Sequence, residues 1–264
     1  MKNPSGKVYL LGAGPGDPDL LTIKALRVLR RAGVVLYDRL VTAEILALAN
    51  PSAEFLYAGK SEGEQDATQS WIERVMLDRA TQGLVVARVK GGDPFIFGRG
   101  AEERAFLESQ GIEVEIVPGV SSALAAPAAA GIPLTLRSLS RSFTVVTGHC
   151  ESSASTDWGR LGGADTIVVL MGVARRAGIA RELIAAGRSP GEPAAFVESA
   201  TTASQRVIRT SLGEIATGSV EVASPAVLVV GAVAALARGE QQPRQEDSFP
   251  DAAPAGAEAA CSVR

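Results

Sequence analysis

Histidine and cysteine are almost missing from this 264-residue chain, which removes several chemistries at once. The only histidine is His149, and the cysteines are Cys150 and Cys261. No spacing among them suits a metal site, so no metal is expected. A disulfide framework is not expected either, which favours a reducing cytoplasm. Long apolar runs are also missing. The best candidate, Ala226–Ala237, falls well short of the roughly 20 residues that a spanning helix needs. Met1–Lys7 leads into a strand-like run without the apolar region of a signal peptide, so no membrane association is expected. Aromatics make up 5% of the chain. A basic excess is missing as well: the formal net charge is -3, the acids in excess sit in residues 239–264, and acids and bases balance over 1–238. Such a body is not expected to bind nucleic acid through bulk electrostatics.

What the chain does have is alternation. Short apolar runs end in Gly/Pro/Asp-rich turns, and helical periodicity follows. Strands are expected at Lys7–Leu11, Val34–Tyr37, Glu54–Tyr57, Leu84–Val89 and Val114–Val117. Helices are expected at Leu20–Ala32, Thr42–Ala49 with Thr42 as N-cap, Thr68–Gln82, Gly100–Gln110 and Ser122–Ala130. Pro133–Arg141 reads as a hinge. Beyond it, Phe143–Thr147, Thr166–Met171, Ala194–Glu198, Arg206–Thr210 and Ala226–Val230 read as strands, and Ala174–Ala186 as a helix. No helix separates Ala194–Glu198 from Arg206–Thr210, which suggests an antiparallel pair. The expected fold is α/β in two lobes, 1–135 with a mostly parallel sheet and 136–238 with a mixed one. The tail 239–264 is expected to be disordered, because its composition cannot bury enough apolar area to offset ordering entropy.

In open α/β sheets, ligands bind beyond the carboxyl ends of the strands. The turn Gly12-Ala13-Gly14-Pro15-Gly16-Asp17-Pro18 fails the dinucleotide spacing, which would need glycine where Asp17 stands, and Pro15 and Pro18 remove two backbone donors. It reads either as a plain tight turn or as a loop where backbone meets a ligand. Tyr37-Asp38-Arg39-Leu40 and Gly59-Lys60 each read as ordinary surface charge, or as an acid and a base facing one cleft. The run Lys90-Gly91-Gly92-Asp93-Pro94-Phe95-Ile96-Phe97-Gly98-Arg99-Gly100 is the most informative, since paired glycines and two aromatics are hard to explain as a plain loop. Asp93 there can accept hydrogen bonds from a ribose or an amine. Ser121 and Ser122 either cap a helix or hold a ligand.

Together these runs resemble the uroporphyrinogen-III C-methyltransferases of the tetrapyrrole methyltransferase family. The resemblance rests on GAGPGDPDLLT (Gly12–Thr22), YDRL (Tyr37–Leu40), GK (Gly59–Lys60), KGGDPFIFGRG (Lys90–Gly100), VPGVSSA (Val117–Ala123), AGIPLT (Ala130–Thr135) and VTGH (Val146–His149). The first motif and the GGDP loop are shared across the wider family, whereas YDRL and GGDPFIFGRG are narrower. The chain departs from the family's motifs at Leu136, over Ser61–Gln69 and at Ser199-Ala200-Thr201.

The resemblance implies two α/β lobes working as a homodimer. S-adenosylmethionine (SAM) would bind between them and leave as S-adenosylhomocysteine. It implies two methyl transfers to uroporphyrinogen III, on rings A and B, giving precorrin-2 for sirohaem or cobalamin synthesis. Cofactor contacts would fall on Pro15, Gly91, Gly92, Asp93, Ile96, Ser121 and Ser122, and on Met171, Ala200 and Ala226. The proton acceptor would be Asp38 and the donor Lys60. Arg39, Lys90, Arg99, Arg137 and Arg141 lie at expected strand ends or in the hinge, and are candidates for holding substrate carboxylates. The alternatives are a later precorrin methyltransferase of the same fold, an RNA methyltransferase built on a related fold, which would want a basic face that residues 1–238 do not supply overall, and a non-catalytic SAM-binding module.

Overall fold

The computed structural model describes residues 6–59, 69–149 and 156–238. Lys60, Cys150, Cys261 and the tail 239–264 lie outside the described residues, and so do the expectations placed on them. The first sheet is five-stranded: β1 (Lys7–Gly12), β2 (Val34–Tyr37), β3 (Glu54–Tyr57), β4 (Val86–Lys90) and β5 (Glu113–Val117), in the order β3-β2-β4-β1-β5. Every pairing in it is parallel. Both faces are therefore covered, and β1, β2 and β4 are almost wholly buried, which is why they read as continuous apolar runs.

Helices α1 (Ile23–Leu29) and α2 (Ala43–Ala47) pack on one face through Ala25, Val28, Leu29 and Ile45. Helices α3 (Gln69–Thr81) and α4 (Gly100–Ser109) cover the other through Ile72, Met76, Ala80 and Leu107. Fully buried side chains such as Leu10, Leu36 and Met76 each contribute about 1.5–3 kcal/mol. Helix α1 starts later than expected. Pro18–Leu20 forms a separate 3-10 turn, and Thr22 caps α1 by accepting from the Ala25 N–H at 3.2 Å. The chain leaves β1 and β4 towards opposite edges of the sheet, so a crevice opens between their carboxyl ends.

The second sheet is also five-stranded: β6 (Phe143–Thr147), β7 (Thr166–Leu170), β8 (Pro193–Glu198), β9 (Arg206–Ser211) and β10 (Ala226–Val230), in the order β6-β7-β10-β8-β9. It is mixed: β6 and β7 run parallel, and the remaining pairs are antiparallel, including the expected β8–β9 pair. Helix α5 (Ser122–Ala129) packs on one face of this sheet, with Ala123 and Ala126 against Val168, Val197 and Val229. Helices α6 (Arg176–Ala185) and α7 (Leu212–Thr217) cover the other face. Core membership thus changes at the turn before α5, ahead of the expected hinge.

Pro133–Arg141 is a tied turn. Leu136 and Ser140 form a backbone bridge, and the Ser140 hydroxyl reaches the Leu134 carbonyl at 2.9 Å and Thr166 Oγ1 at 2.8 Å. Among the described residues, no helix is long and apolar enough to cross a membrane.

Candidate active site

Three glycine turns meet at the carboxyl end of the first sheet. The turn after β1 and the turn after β4 exchange two backbone hydrogen bonds, Gly14 N to Gly92 O at 3.2 Å and Gly92 N to Gly14 O at 2.7 Å. Gly12 lies against Gly119 of the turn after β5, and a Cβ on Gly12 would stand 2.5 Å from the Gly92 carbonyl oxygen. No side chain fits there, so the three turns close into one backbone wall. Asp93 ties that wall together: one carboxylate oxygen accepts from the Phe95 N–H at 2.8 Å, the other from the Gly119 N–H at 3.1 Å. Ser121 is the N-cap of α5, its hydroxyl accepting from the Ala123 N–H.

The second lobe supplies the facing wall from the ends of β7 and β8 and the start of β10. Its loop 199–204 touches the first lobe directly, where Thr201 Oγ1 accepts from the Asp17 N–H at 3.1 Å. Thr42 begins α2 as expected, but its hydroxyl donates to the Gly16 carbonyl at 3.2 Å and does not cap the helix. Between the walls lies a cavity of about 1070 Å³. Among the described residues, five of the six non-glycine residues with positive φ line it: Phe97, Arg99, Met171, Ser199 and Thr201. Such backbone strain concentrates where function holds it in place.

Asp38 lines this cavity. One of its oxygens accepts from the Leu40 N–H at 3.0 Å, and the other stands 4.0 Å from a guanidinium nitrogen of Arg88. Arg88 and Lys90 lie on one face of β4 and are 4% and 5% exposed. Both meet Glu103, which is fully buried in the first turn of α4. Burial and the Arg88 guanidinium hold the Lys90 amine below the ordinary lysine range, while Glu103 and Asp38 pull the other way. Arg88 and Glu103 carry no signal in the sequence reading. A lone charge inside an apolar strand and an acid in a first helical turn are both commonplace, and only the fold brings them together.

The expected cofactor residues Pro15, Gly91, Gly92, Ile96 and Ser122 line the cavity from the first lobe, and Met171, Ala200 and Ala226 line it from the second. Asp93 and Ser121 stand behind the lining and shape it, their side chains engaged by backbone N–H groups. Of the expected carboxylate-holding bases, Arg39, Lys90 and Arg99 line the cavity, although the Lys90 amine turns to Glu103 at 2.7 Å. Arg137 and Arg141 do not line it. Their turn folds onto the second lobe, where the Arg141 N–H donates to Asp165 at 2.9 Å. Among the described residues, no group of His, Cys, Asp or Glu is arranged to hold a metal.

Comparison with known proteins agrees with this architecture. Residues 7–216 match the family model for tetrapyrrole (corrin/porphyrin) methylases. The uroporphyrinogen-III C-methyltransferase of Pseudomonas aeruginosa is 47% identical over 232 residues, covering 87% of this chain and 94% of that protein. Siroheme synthase 2 of Aeromonas hydrophila is 44% identical over 237 residues, 89% of this chain but 50% of that protein. The chain therefore spans about half the length of the siroheme synthases it matches. Among solved structures, the uroporphyrin-III C-methyl transferase of Thermus thermophilus, complexed with S-adenyl homocysteine, superposes with a TM-score of 0.77 at 48% identity, covering 86% of this chain and 93% of that one. The match over residues 7–216, with the turns GAGPGDP, YDRL and KGGDPFIFGRG meeting at the cleft, makes this chain a member of the tetrapyrrole methylase family.

Proposed function

We propose that this chain is a SAM-dependent C-methyltransferase that adds two methyl groups to uroporphyrinogen III, on rings A and B, to give precorrin-2. The observation that carries the reading is the convergence of the turns after β1, β2, β4, β7 and β8 on one cavity of about 1070 Å³. That is slightly above the roughly 300–1,000 Å³ of ordinary small-molecule sites, which suits a cofactor beside a macrocycle.

The wall fits such a cofactor. Gly14, Gly16, Gly91 and Gly92 line the cavity without side chains, and the Gly12 and Gly119 backbones pack beneath them so closely that a Cβ on either would meet backbone. Pro15, Gly91, Gly92, Ile96 and Ser122 would hold the cofactor from one side, and Met171, Ala200 and Ala226 from the other, with Asp93 and Ser121 bracing the loops. Bound there, SAM supplies a methyl group already activated by its sulfonium.

The residues of the chain then have two tasks. The first is alignment, since well-oriented reactants gain about 7–11 kcal/mol of barrier reduction. Arg39 on the cavity lining gives a polycarboxylate substrate a guanidinium partner that fixes its pose, and Arg99 joins it by exchanging its Glu102 carboxylate, 2.7 Å away, for one of the substrate's. The second is removal of the proton that the methylated carbon must release. Asp38 takes it at a carboxylate oxygen, a contribution typically about 10²–10⁴-fold. Lys60 is the proposed donor. With this reading go a homodimer, a cytoplasmic location, and a product used for sirohaem or cobalamin.

Incubation of the chain with uroporphyrinogen III and SAM, followed by mass analysis of the tetrapyrrole, tests the proposal. The expected result is a product carrying two added methyl groups. Transfer only to a later precorrin would replace this reading with a sibling activity. Binding of S-adenosylhomocysteine without any transfer would leave a binding module.

A further inference from the structure

Glu103 is a fully buried carboxylate with an uneven set of partners. Its Oε1 accepts from Lys90 Nζ at 2.7 Å and from Arg88 Nε and Gln69 Nε2 at 3.4 Å each. Its Oε2, equally buried, has no partner among the described residues. An unmatched buried oxygen is a cost, and a buried ion pair is seldom more stable than apolar side chains of the same volume. Stability therefore does not explain why an acid stands here.

Its position relative to the cavity does. Arg88 lines the cavity and faces Asp38 at 4.0 Å. Lys90 lies two residues along the same strand face, so two buried cations share one low-dielectric patch. Without Glu103 the two would repel, and Asp38 would be the carboxylate left beside Arg88. With Glu103 present, Lys90 has its own partner and the Nε edge of Arg88 is held from behind. The other edge of the guanidinium donates to the Val89 carbonyl at 3.1 Å and, more weakly, to the Leu36 carbonyl at 3.4 Å. Arg88 is thus held at two of its nitrogens, by three partners, and stands 4.0 Å from Asp38 without closing on it.

We infer that Glu103 is a positioning residue for methyl transfer: by anchoring Lys90 and the Nε edge of Arg88 beneath the cavity, it sets the distance at which Arg88 meets the Asp38 carboxylate. Asp38 stays free to take a proton because Arg88 cannot close the gap. The inference rests on the role given to Asp38 above.

The test is a mutant cycle read in single-substrate kinetics. Glu103→Gln keeps the shape and removes the charge, and kcat should fall about 10- to 100-fold. The Kd for S-adenosylhomocysteine should stay within about twofold, because the glycine wall is untouched. In an Asp38→Asn background the same substitution should cost less than about twofold more, because its effect runs through Asp38. An equal loss in both backgrounds overturns the inference, as does unchanged kcat in Glu103→Gln. If Glu103→Gln does not fold, the double variant Lys90→Met/Glu103→Leu removes both charges together. Its kcat should still fall at least about tenfold, because Arg88 has lost its anchor; wild-type kcat there overturns the inference. No transfer to uroporphyrinogen III by the unaltered chain overturns both this inference and the function it rests on. Transfer by that chain with equal losses in the cycle overturns the inference alone.

Discussion

Gly12 and Gly119 meet backbone to backbone beneath the cavity: a Cβ on Gly12 would stand 2.6 Å from the Gly119 Cα. The two residues end different strands, and the Gly92 carbonyl completes the contact. Gly12→Ala must therefore push two turns apart, at about 1–3 kcal/mol of stability. The displaced wall is the proposed cofactor surface, so S-adenosylhomocysteine affinity should fall at least about tenfold, equivalent to roughly 1.4 kcal/mol. Gly178→Ala is the control. It lies inside α6 with nothing near its Cβ position, and should raise stability by about 0.5–1 kcal/mol with affinity unchanged. Thermal unfolding and calorimetric titration read both effects.

The central strands are legible in the sequence because burial leaves little choice of residue, and β2 and β10 have the bounds that their apolar runs give. β3 and β6 are edge strands, exposed or half-buried along their length, and their bounds follow from short aromatic and β-branched runs between turn residues. Helix starts were less legible, since tertiary contacts compete with local ones, as the diverted Thr42 hydroxyl illustrates. α7 (Leu212–Thr217) is not among the expected helices, although its capping signal is present. Ser211 and Glu214 form a capping box, but Gly213 and a length of 6 residues mask the helical period. In the site, the glycine turns stand out in the sequence because their motifs resemble the family's, and the close backbone contacts of Gly12 and Gly119 account for glycine there. Arg88 and Glu103 do not stand out, since their partnership spans 15 residues and depends on the register of α4 over β4.

Substrate charge should be read by the cavity arginines and not by the turn 133–141. Arg39 and Arg99 line the cavity, whereas Arg137 and Arg141 lie on a turn tied to the second lobe. Arg39→Glu and Arg99→Glu should each raise the KM for the tetrapyrrole at least about tenfold, the loss of one carboxylate partner turned into a repulsion. Arg137→Glu and Arg141→Glu should change it less than about twofold. Steady-state kinetics at fixed SAM checks the contrast, and an equal effect from all four would place the substrate outside this cleft.

Acid should loosen the second lobe at Glu198. Its carboxylate, at the end of β8, binds Arg206 and accepts from the Ala223 N–H beside the cavity residue Ser224. The Arg206 hydrogen bond, helped by that N–H, holds the carboxyl below its ordinary 4.5. A group with a lowered folded value binds fewer protons when folded, so its stabilisation is complete above about 4.5 and fades as pH falls towards the folded value. Glu198→Gln should cost about 1 kcal/mol at neutral pH, because half-exposed Arg206 leaves the pair partly screened. The difference from the unaltered chain should shrink below pH 4.5. Chemical denaturation across that range measures it, and a constant difference would show that the carboxylate charge is not what matters.

Met171 offers a way to separate stability from activity. It follows the last residue of β7 at φ 55, is 51% exposed, and lines the cavity. A left-handed conformation costs a non-glycine residue about 1–2 kcal/mol, and a side chain half in solvent recovers little of that by burial. Glycine at this position removes the strain, less its own greater loss of chain entropy, so Met171→Gly should stabilise the fold by up to about 1 kcal/mol. If the methionine is held in strain because its thioether packs on the cofactor, the same change should weaken S-adenosylhomocysteine binding about tenfold, some 1.4 kcal/mol. A higher melting temperature together with a higher Kd is the expected signature. Unchanged affinity would remove Met171 from the proposed cofactor contacts, and a lower melting temperature would mean that its side-chain contacts outweigh the backbone strain.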